Sequence, residues 1–306
     1  MEQRIDTKKL LMYAAGTLAL SLILIAVRVA LLLGHFDPNT QQYGLNTSSP
    51  LYFHAALCVA AAILLTSYFA FRKKSVSVNF SAPTQTTVFA ASLCAFMLIA
   101  YIILEIYEQF STNFSFIQYF QNFTKYDKKC RELIFKGALV LLAVPSFVYF
   151  FRVASSSGKS KKALGFLSFC PILWIMILLI STYFDLSVSY NNPNRILNQI
   201  ALISCMLYFV GESRYQLHIE KPHLYIPLAL LSVLLLSVST IPTVILNSFW
   251  VLNDTFPTIF YAVQLAFCVY IASRIGAFFR KPIEQEASFG EYVSAEQTNN
   301  EEEAAS

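Results

Sequence analysis

Arg28, Glu105 and Lys136 stand inside long apolar runs of a 306-residue chain in which 56% of residues are hydrophobic and only 13% are charged. Ionisable side chains are costly in hydrocarbon, and they usually face a bundle interior, an aqueous cavity or one another. On a helix rising about 1.5 Å per residue, each of the three falls within roughly 10 Å of one end of its run. The same layer holds His35, Asp37, His54, Glu108 and Asp185. Glu105 and Glu108 are three apart and share a helix face. Arg28, Asp37, His54, Glu105, Glu108, Lys136 and Asp185 therefore form a candidate polar site, in which the basic pair and the carboxylates balance around an outward-facing cavity. The competing reading has Arg28 and Lys136 extending their heads to the headgroup layer, as long basic side chains do, with both glutamates in water at an earlier helix end. Glu105 is the sharpest candidate, because a carboxylate cannot extend as far, and a proton-coupled step at Glu105 is one hypothesis.

The elements that would position these residues are membrane helices. A soluble domain has about a quarter of its residues charged, well above the fraction here, and a bilayer crossing takes about 20 apolar residues. Eight runs meet that need: 10–33, 51–71, 86–107, 132–151, 164–184, 196–213, 224–246 and 257–278. The first is longer than the apolar region of a signal peptide and no small-residue cleavage site follows, so it reads as a helix that stays. The fold class expected is an all-α polytopic transmembrane helical bundle of about eight helices over 1–281. An acidic, disordered cytoplasmic tail follows over 282–306, rich in glutamate and poor in apolar residues.

Basic residues set the orientation. Arg4, Lys8, Lys9, Arg72, Lys73, Lys74, Arg152, Lys159, Lys161, Lys162, Arg214, Lys221, Arg274, Arg280 and Lys281 fall on one side. Lys125, Lys128, Lys129, Arg131 and Arg195 fall on the other. The positive-inside rule then predicts a plasma-membrane protein with both termini cytoplasmic. The net charge of +4 is spread along these connections, an arrangement of membrane topology, and no nucleic-acid partner is expected. The partners implied are the lipid bilayer and a protein docked by the acidic tail. The connection between the third and fourth helices interleaves Phe110, Phe114, Phe116, Tyr119, Phe120, Phe123 and Tyr126 with polar residues, as an interfacial helix or a lid would.

The turn Phe36-Asp37-Pro38-Asn39-Thr40, the "CPILW" that opens the fifth helix and the "GESRY" that ends the sixth resemble a group of polytopic membrane proteins of clostridial, low-GC Gram-positive bacteria. In that group the turn usually continues with Gly and an aromatic pair, where this chain has Gln41-Gln42-Tyr43. The resemblance implies a membrane bundle and carries no activity. Asp-Pro-Asn is also ordinary turn chemistry, which makes the segment the connection between helices one and two. A parallel repeat of four plus four helices, of the kind found among transporters, is one reading of "GHFDPN" against "TYFDLS" and of "SYFAFR" against "LYFVGESR". Chance likeness between apolar runs is the other.

Pro145, Pro171 and Pro242 each remove a backbone hydrogen bond inside a crossing, and something else must satisfy the freed carbonyl. Around Pro242, Ser237, Ser239, Thr240 and Thr243 are the candidates. Glu212 and Arg214 read as closing the sixth helix near the interface. The six cysteines (Cys58, Cys94, Cys130, Cys170, Cys205 and Cys268) form no C-x-x-C pair. No zinc-protease, nucleophile-elbow or phosphate-loop signature occurs, so neither a cofactor nor a metal is expected. The function classes left are passage or binding of a small solute within the bundle, a non-catalytic membrane subunit or sensor, and, last, an intramembrane enzyme.

Overall fold

Each expected apolar run forms a helix in the computed structural model, which describes residues 7–37, 40, 42–44, 48–71, 84–111, 127–155, 161–185, 192–217, 222–249 and 258–279. The acidic tail at 282–306 and most of the aromatic connection after Ser111 lie outside the described residues. The elements are α1 (Thr7–His35), a two-residue hairpin β1 (Phe36–Asp37) and β2 (Gln42–Tyr43), α2 (Ser49–Leu65), α3 (Ser67–Phe71) and α4 (Gln85–Ser111). They continue as α5 (Asp127–Ser155), α6 (Lys161–Leu167), α7 (Phe169–Phe184), α8 (Pro193–Gln216), α9 (Pro222–Ser248) and α10 (Thr258–Ala277). With α2–α3 and α6–α7 each forming one span, eight helices among the described residues are long and apolar enough to cross a membrane.

Local chemistry explains where these helices start and break. The sixth span, expected as the shortest, begins earlier than its apolar run. The Asn192 side chain accepts from the backbone N–H groups of Asn194 and Arg195, and Pro193 fills the first helical position. The break between α6 and α7 falls at Ser168, beside the Leu167 carbonyl whose i+4 partner would be the N–H that Pro171 lacks. Ser168 Oγ instead donates to the Gly165 carbonyl at 2.6 Å. At the other break, Thr66 and Ser67 donate their hydroxyls to Ile63 and Leu64 carbonyls, both at 2.6 Å.

Six spans close on themselves. α4 packs on α5, α5 on α7, α7 on α8, α8 on α9, α9 on α10, and α10 back on α4. α1 and α2–α3 lie outside this ring, against α9. The two sets of four spans pack differently. The sixth span lies along the fifth and seventh, whereas its counterpart α2 lies along α1 and α9. Large apolar side chains such as Leu18, Phe69, Phe89, Phe96 and Leu141 stand exposed on the outer surface, where lipid would cover them.

Aromatic side chains fill the ring, as contacts between helices that are not ring neighbours reveal. Phe150 of α5 stacks on Phe267 of α10 at 5.5 Å between centroids and meets Phe209 of α8 at 6.0 Å. Trp174 of α7 reaches Tyr101 of α4 at 5.9 Å, and Phe260 and Phe267 of α10 at 6.3 and 5.8 Å. Trp174, Tyr101, Phe150, Phe209 and Phe267 are all fully buried.

Candidate functional site

Arg28, on α1, is held inside the protein and acts as a tie. Its guanidinium donates to the Val238 carbonyl on α9 and to Asn194 Oδ1 on α8 at 2.9 Å. Val238 lies four residues before Pro242, so its carbonyl is the one whose helical partner the proline removes. The hydroxyls expected to satisfy the break turn elsewhere: Ser237 to Leu234, Thr240 to Leu236 and Thr243 to Ser239, each to a backbone carbonyl. A cation from another helix does it instead. Arg28 thus fastens α1 to the ring at the two helices it bridges. Tyr43 of the hairpin lies close enough to feel the charge. Burial raises the Tyr43 phenol above its usual range, and the guanidinium offsets part of that rise.

Lys136, on α5, forms a separate group. Its Nζ lies 3.4 Å from Glu105 Oε1 and 3.2 Å from Glu108 Oε1, both on α4, and 3.8 Å from Glu132 Oε1 one turn earlier. Glu105 is buried while Glu108 and Glu132 are exposed, so the hub joins a buried carboxylate to the surface. α1 packs on α2 and α9, whereas α4 and α5 pack on each other. Arg28 and Lys136 therefore serve different contacts. Asp37 accepts from the Thr40 hydroxyl at 3.0 Å within the hairpin turn. His54 Nδ1 lies 2.6 Å from the Pro50 carbonyl in the first turn of α2. Asp185 ends α7, where its carbonyl accepts from Arg195 Nη1 at 2.9 Å. The last three sit in turns and helix ends with local hydrogen-bond partners.

The strongest electrostatic feature lies at the opposite end, where α1 begins and α10 finishes. Arg274 Nη2 of α10 meets Glu212 Oε1 of α8 at 2.8 Å, and Arg274 Nε meets the same oxygen at 3.0 Å. Both side chains are almost wholly buried. Tyr270 donates to Glu212 Oε1 at 2.6 Å, Tyr149 to the same atom at 3.2 Å, and Tyr208 to Oε2 at 2.5 Å. Tyr225 joins through the Tyr208 hydroxyl at 2.6 Å, and Gln216 Nε2 donates to Tyr149 Oη at 2.8 Å. The Arg274 guanidinium also lies 5.3 Å from the Tyr270 ring centroid, within cation–π range. Four helices of the ring, α5, α8, α9 and α10, are thereby tied together about 4–12 Å inside their ends, from the rise per residue.

Glu212, expected to close the sixth helix near the interface, is instead buried against Arg274, which the sequence presents only as one of the basic residues that set orientation. Both lie where a helix end and its water are expected. The available signal is spacing: Tyr208, Glu212 and Gln216 recur every fourth residue, as do Tyr270 and Arg274, so each set forms a polar stripe down one helix face.

Between the two ends, several buried polar atoms have no hydrogen-bond partner among the described residues. They include Tyr101 Oη, Trp174 Nε1, both amide atoms of Gln264, Asn198 Oδ1 and Ser239 Oγ. Gln264 sits four residues after Phe260 and three before Phe267, hence on the same face of α10. Trp174 contacts both of those rings. Gln264, Trp174 and Tyr101 consequently belong to one patch inside the ring, about 9–15 Å from the hairpin end by helical rise. A buried polar group left unpaired costs about 1–3 kcal/mol, and such groups in folded proteins generally meet water or a ligand. Among the described residues, no three His, Cys, Asp or Glu side chains are placed to hold a metal ion.

Eight apolar spans and an apolar outer surface define a multi-pass integral membrane protein. No protein-family model, curated protein or solved structure matches the chain.

Proposed function

We propose that the ring takes a small polar solute in from the hairpin end and passes it across the membrane. The observation that carries this reading is the set of buried polar atoms on Tyr101, Trp174 and Gln264 that find no hydrogen-bond partner among the described residues, beside an aromatic cluster in which Trp174 meets Tyr101, Phe260 and Phe267. A helix bundle evolved only to be stable has little use for an amide with neither its donor nor its acceptor met. Between helices of a bundle, a few convergent polar groups among apolar walls are the usual make-up of a ligand site. On this reading the Glu212–Arg274 network, which ties α5, α8, α9 and α10 together, closes the terminal end of the ring. The Lys136 hub links a buried carboxylate to the surface toward the hairpin side and offers a place for a coupled proton. Orientation follows the basic residues: the terminal side cytoplasmic, the hairpin side external, in the plasma membrane.

The test works with the solute still unidentified. Purified protein is reconstituted into liposomes loaded with the low-mass filtrate of a cell lysate, and the retained compounds are read by mass spectrometry against protein-free liposomes. Selective loss of one compound or a few related ones, slowed in a Gln264→Leu variant, supports passage. Retention of every compound by both proteins refutes it.

A further inference from the structure

The chemistry of the unpaired atoms restricts what the ring would hold. Gln264 presents an N–H donor and a carbonyl acceptor side by side, neither with a partner among the described residues. Only a partner with an acceptor beside a donor satisfies the two at once. Trp174 adds a donor that cannot accept, and Tyr101 adds a hydroxyl that can do either. The surrounding walls are flat. Tyr101 and Phe260 lie 5.1 Å apart at their centroids, with Trp174 against both. Such rings favour stacked or edge-on contact with another planar group.

Charge complementarity points the same way. Arg28 is engaged by Asn194 and the Val238 carbonyl, Lys136 by three glutamates, and Arg274 by Glu212. The Glu105 carboxylate, one turn along α4 from Tyr101, is met by Lys136, so a net charge brought between Trp174 and Gln264 would leave water for an aromatic-lined space, at a cost of several kcal/mol.

We infer that the solute is a neutral, planar molecule with an amide edge, a carboxamide or a cyclic amide. It pairs its donor and acceptor with Gln264 while its face lies on Trp174, Tyr101 and Phe260. This inference rests on the ring being the solute site. In the described state the rings touch, so entry parts Trp174 from Phe260 and replaces a ring–ring contact by a ring–ligand one.

The chain has two tryptophans, Trp174 and Trp250, so a Trp250→Phe variant makes Trp174 the sole indole reporter. Benzamide and uracil serve as amide probes; toluene and benzoate serve as the matched apolar and anionic controls. In detergent-solubilised full-length protein, both amides should change Trp174 emission saturably, and the controls should not at equal concentration. Gln264→Leu should weaken amide binding about tenfold or more, the equivalent of roughly 1.4 kcal/mol. Tyr101→Phe, which removes one oxygen and keeps the ring, should weaken it severalfold and guards against a Gln264 variant that fails to fold. Toluene or benzoate binding as tightly as benzamide overturns the assignment, as does unchanged affinity in both variants. Selective efflux of a compound without an amide edge also overturns it while leaving passage standing. Amide binding without any efflux supports the site and refutes passage.

Discussion

Separating Arg274 from Glu212 should cost more than any surface change in this protein, while removing both charges together should cost little. Glu212 accepts from five donors: two nitrogens of Arg274 and the hydroxyls of Tyr149, Tyr208 and Tyr270. Arg274→Met removes the two charged donors and leaves a carboxylate at 1% exposure facing three phenols. Breaking one side of a buried pair typically costs about 3–5 kcal/mol, and the remaining tyrosine hydrogen bonds place this variant toward the lower end, about 3 kcal/mol. Glu212→Gln keeps an acceptor for the tyrosines but strands a guanidinium at 2% exposure. The Tyr270 ring and hydroxyl stay beside it, but the negative charge is gone, so the loss should be nearer about 4 kcal/mol. The double variant keeps the tyrosine acceptor and buries no charge, and should lie within about 1–2 kcal/mol of the parent. A coupling of about 5 kcal/mol therefore separates the double variant from the sum of the singles. Reversible unfolding of the detergent-solubilised protein, followed by circular dichroism, reads all four proteins of this cycle. A double variant as unstable as the two singles combined would refute the pair as a unit. Singles that lose under about 1 kcal/mol, the range of exposed pairs, would mean that water reaches it.

Other expectations follow from named contacts. Arg28→Met strands the Val238 carbonyl and the Asn194 amide and should cost about 2–4 kcal/mol from two charged hydrogen bonds. Arg28→Lys should recover only part of this, because an ammonium lacks the fork that reaches both partners, and thermal melts of the two variants decide it. Lys136→Met removes the buried Glu105 carboxylate's ammonium partner and should destabilise by about 1–3 kcal/mol. Glu108→Gln, at an exposed position, should cost under about 1 kcal/mol in the same melts. Burial raises the Tyr43 phenol in the folded state, so the hairpin's stability is full below the ordinary tyrosine range and falls as pH rises through the raised value. The difference in tyrosinate absorbance between the parent and Tyr43→Phe should titrate above the bulk of the exposed tyrosines; a midpoint at or below theirs would contradict the burial.

The spans were legible because hydrocarbon imposes one rule on every residue of a crossing: about 20 apolar residues, with the backbone satisfied within the helix. The ring was not legible, since the choice of neighbours depends on side-chain fit between helices, and apolar runs look alike in one dimension. Pro242 shows the boundary well. The sequence marked a freed carbonyl and nominated hydroxyls a few residues away, but the donor came from Arg28, some two hundred residues earlier in the chain. The Lys136 group was readable because Glu105 and Glu108 share a face and lie in the same layer as the lysine. Its separation from Arg28 depends on α1 packing outside the ring.

The two polar clusters missed by sequence reasoning share a physical reason. Glu212 and Arg274 lie within two turns of helix ends, where a charge is normally solvated, and only tertiary packing of α5, α9 and α10 excludes the water. Gln264, Trp174 and Tyr101 carry no charge, so a search for ionisable residues passes over them. Yet an uncharged amide buried without partners says more about a ligand than a charge with partners does. Arg28 and Arg274, for all their cost in a membrane, have their hydrogen bonds answered by the fold itself, which gives them a sufficient structural reason to exist. Gln264 has none from the described residues. Replacing it with leucine should accordingly raise the thermal midpoint of the solute-free protein, by removing a desolvated amide worth about 1–3 kcal/mol, while weakening the amide binding proposed above. A residue kept at the expense of stability is the signature of a functional site, and a Gln264→Leu protein less stable than its parent would place that amide in the architecture instead.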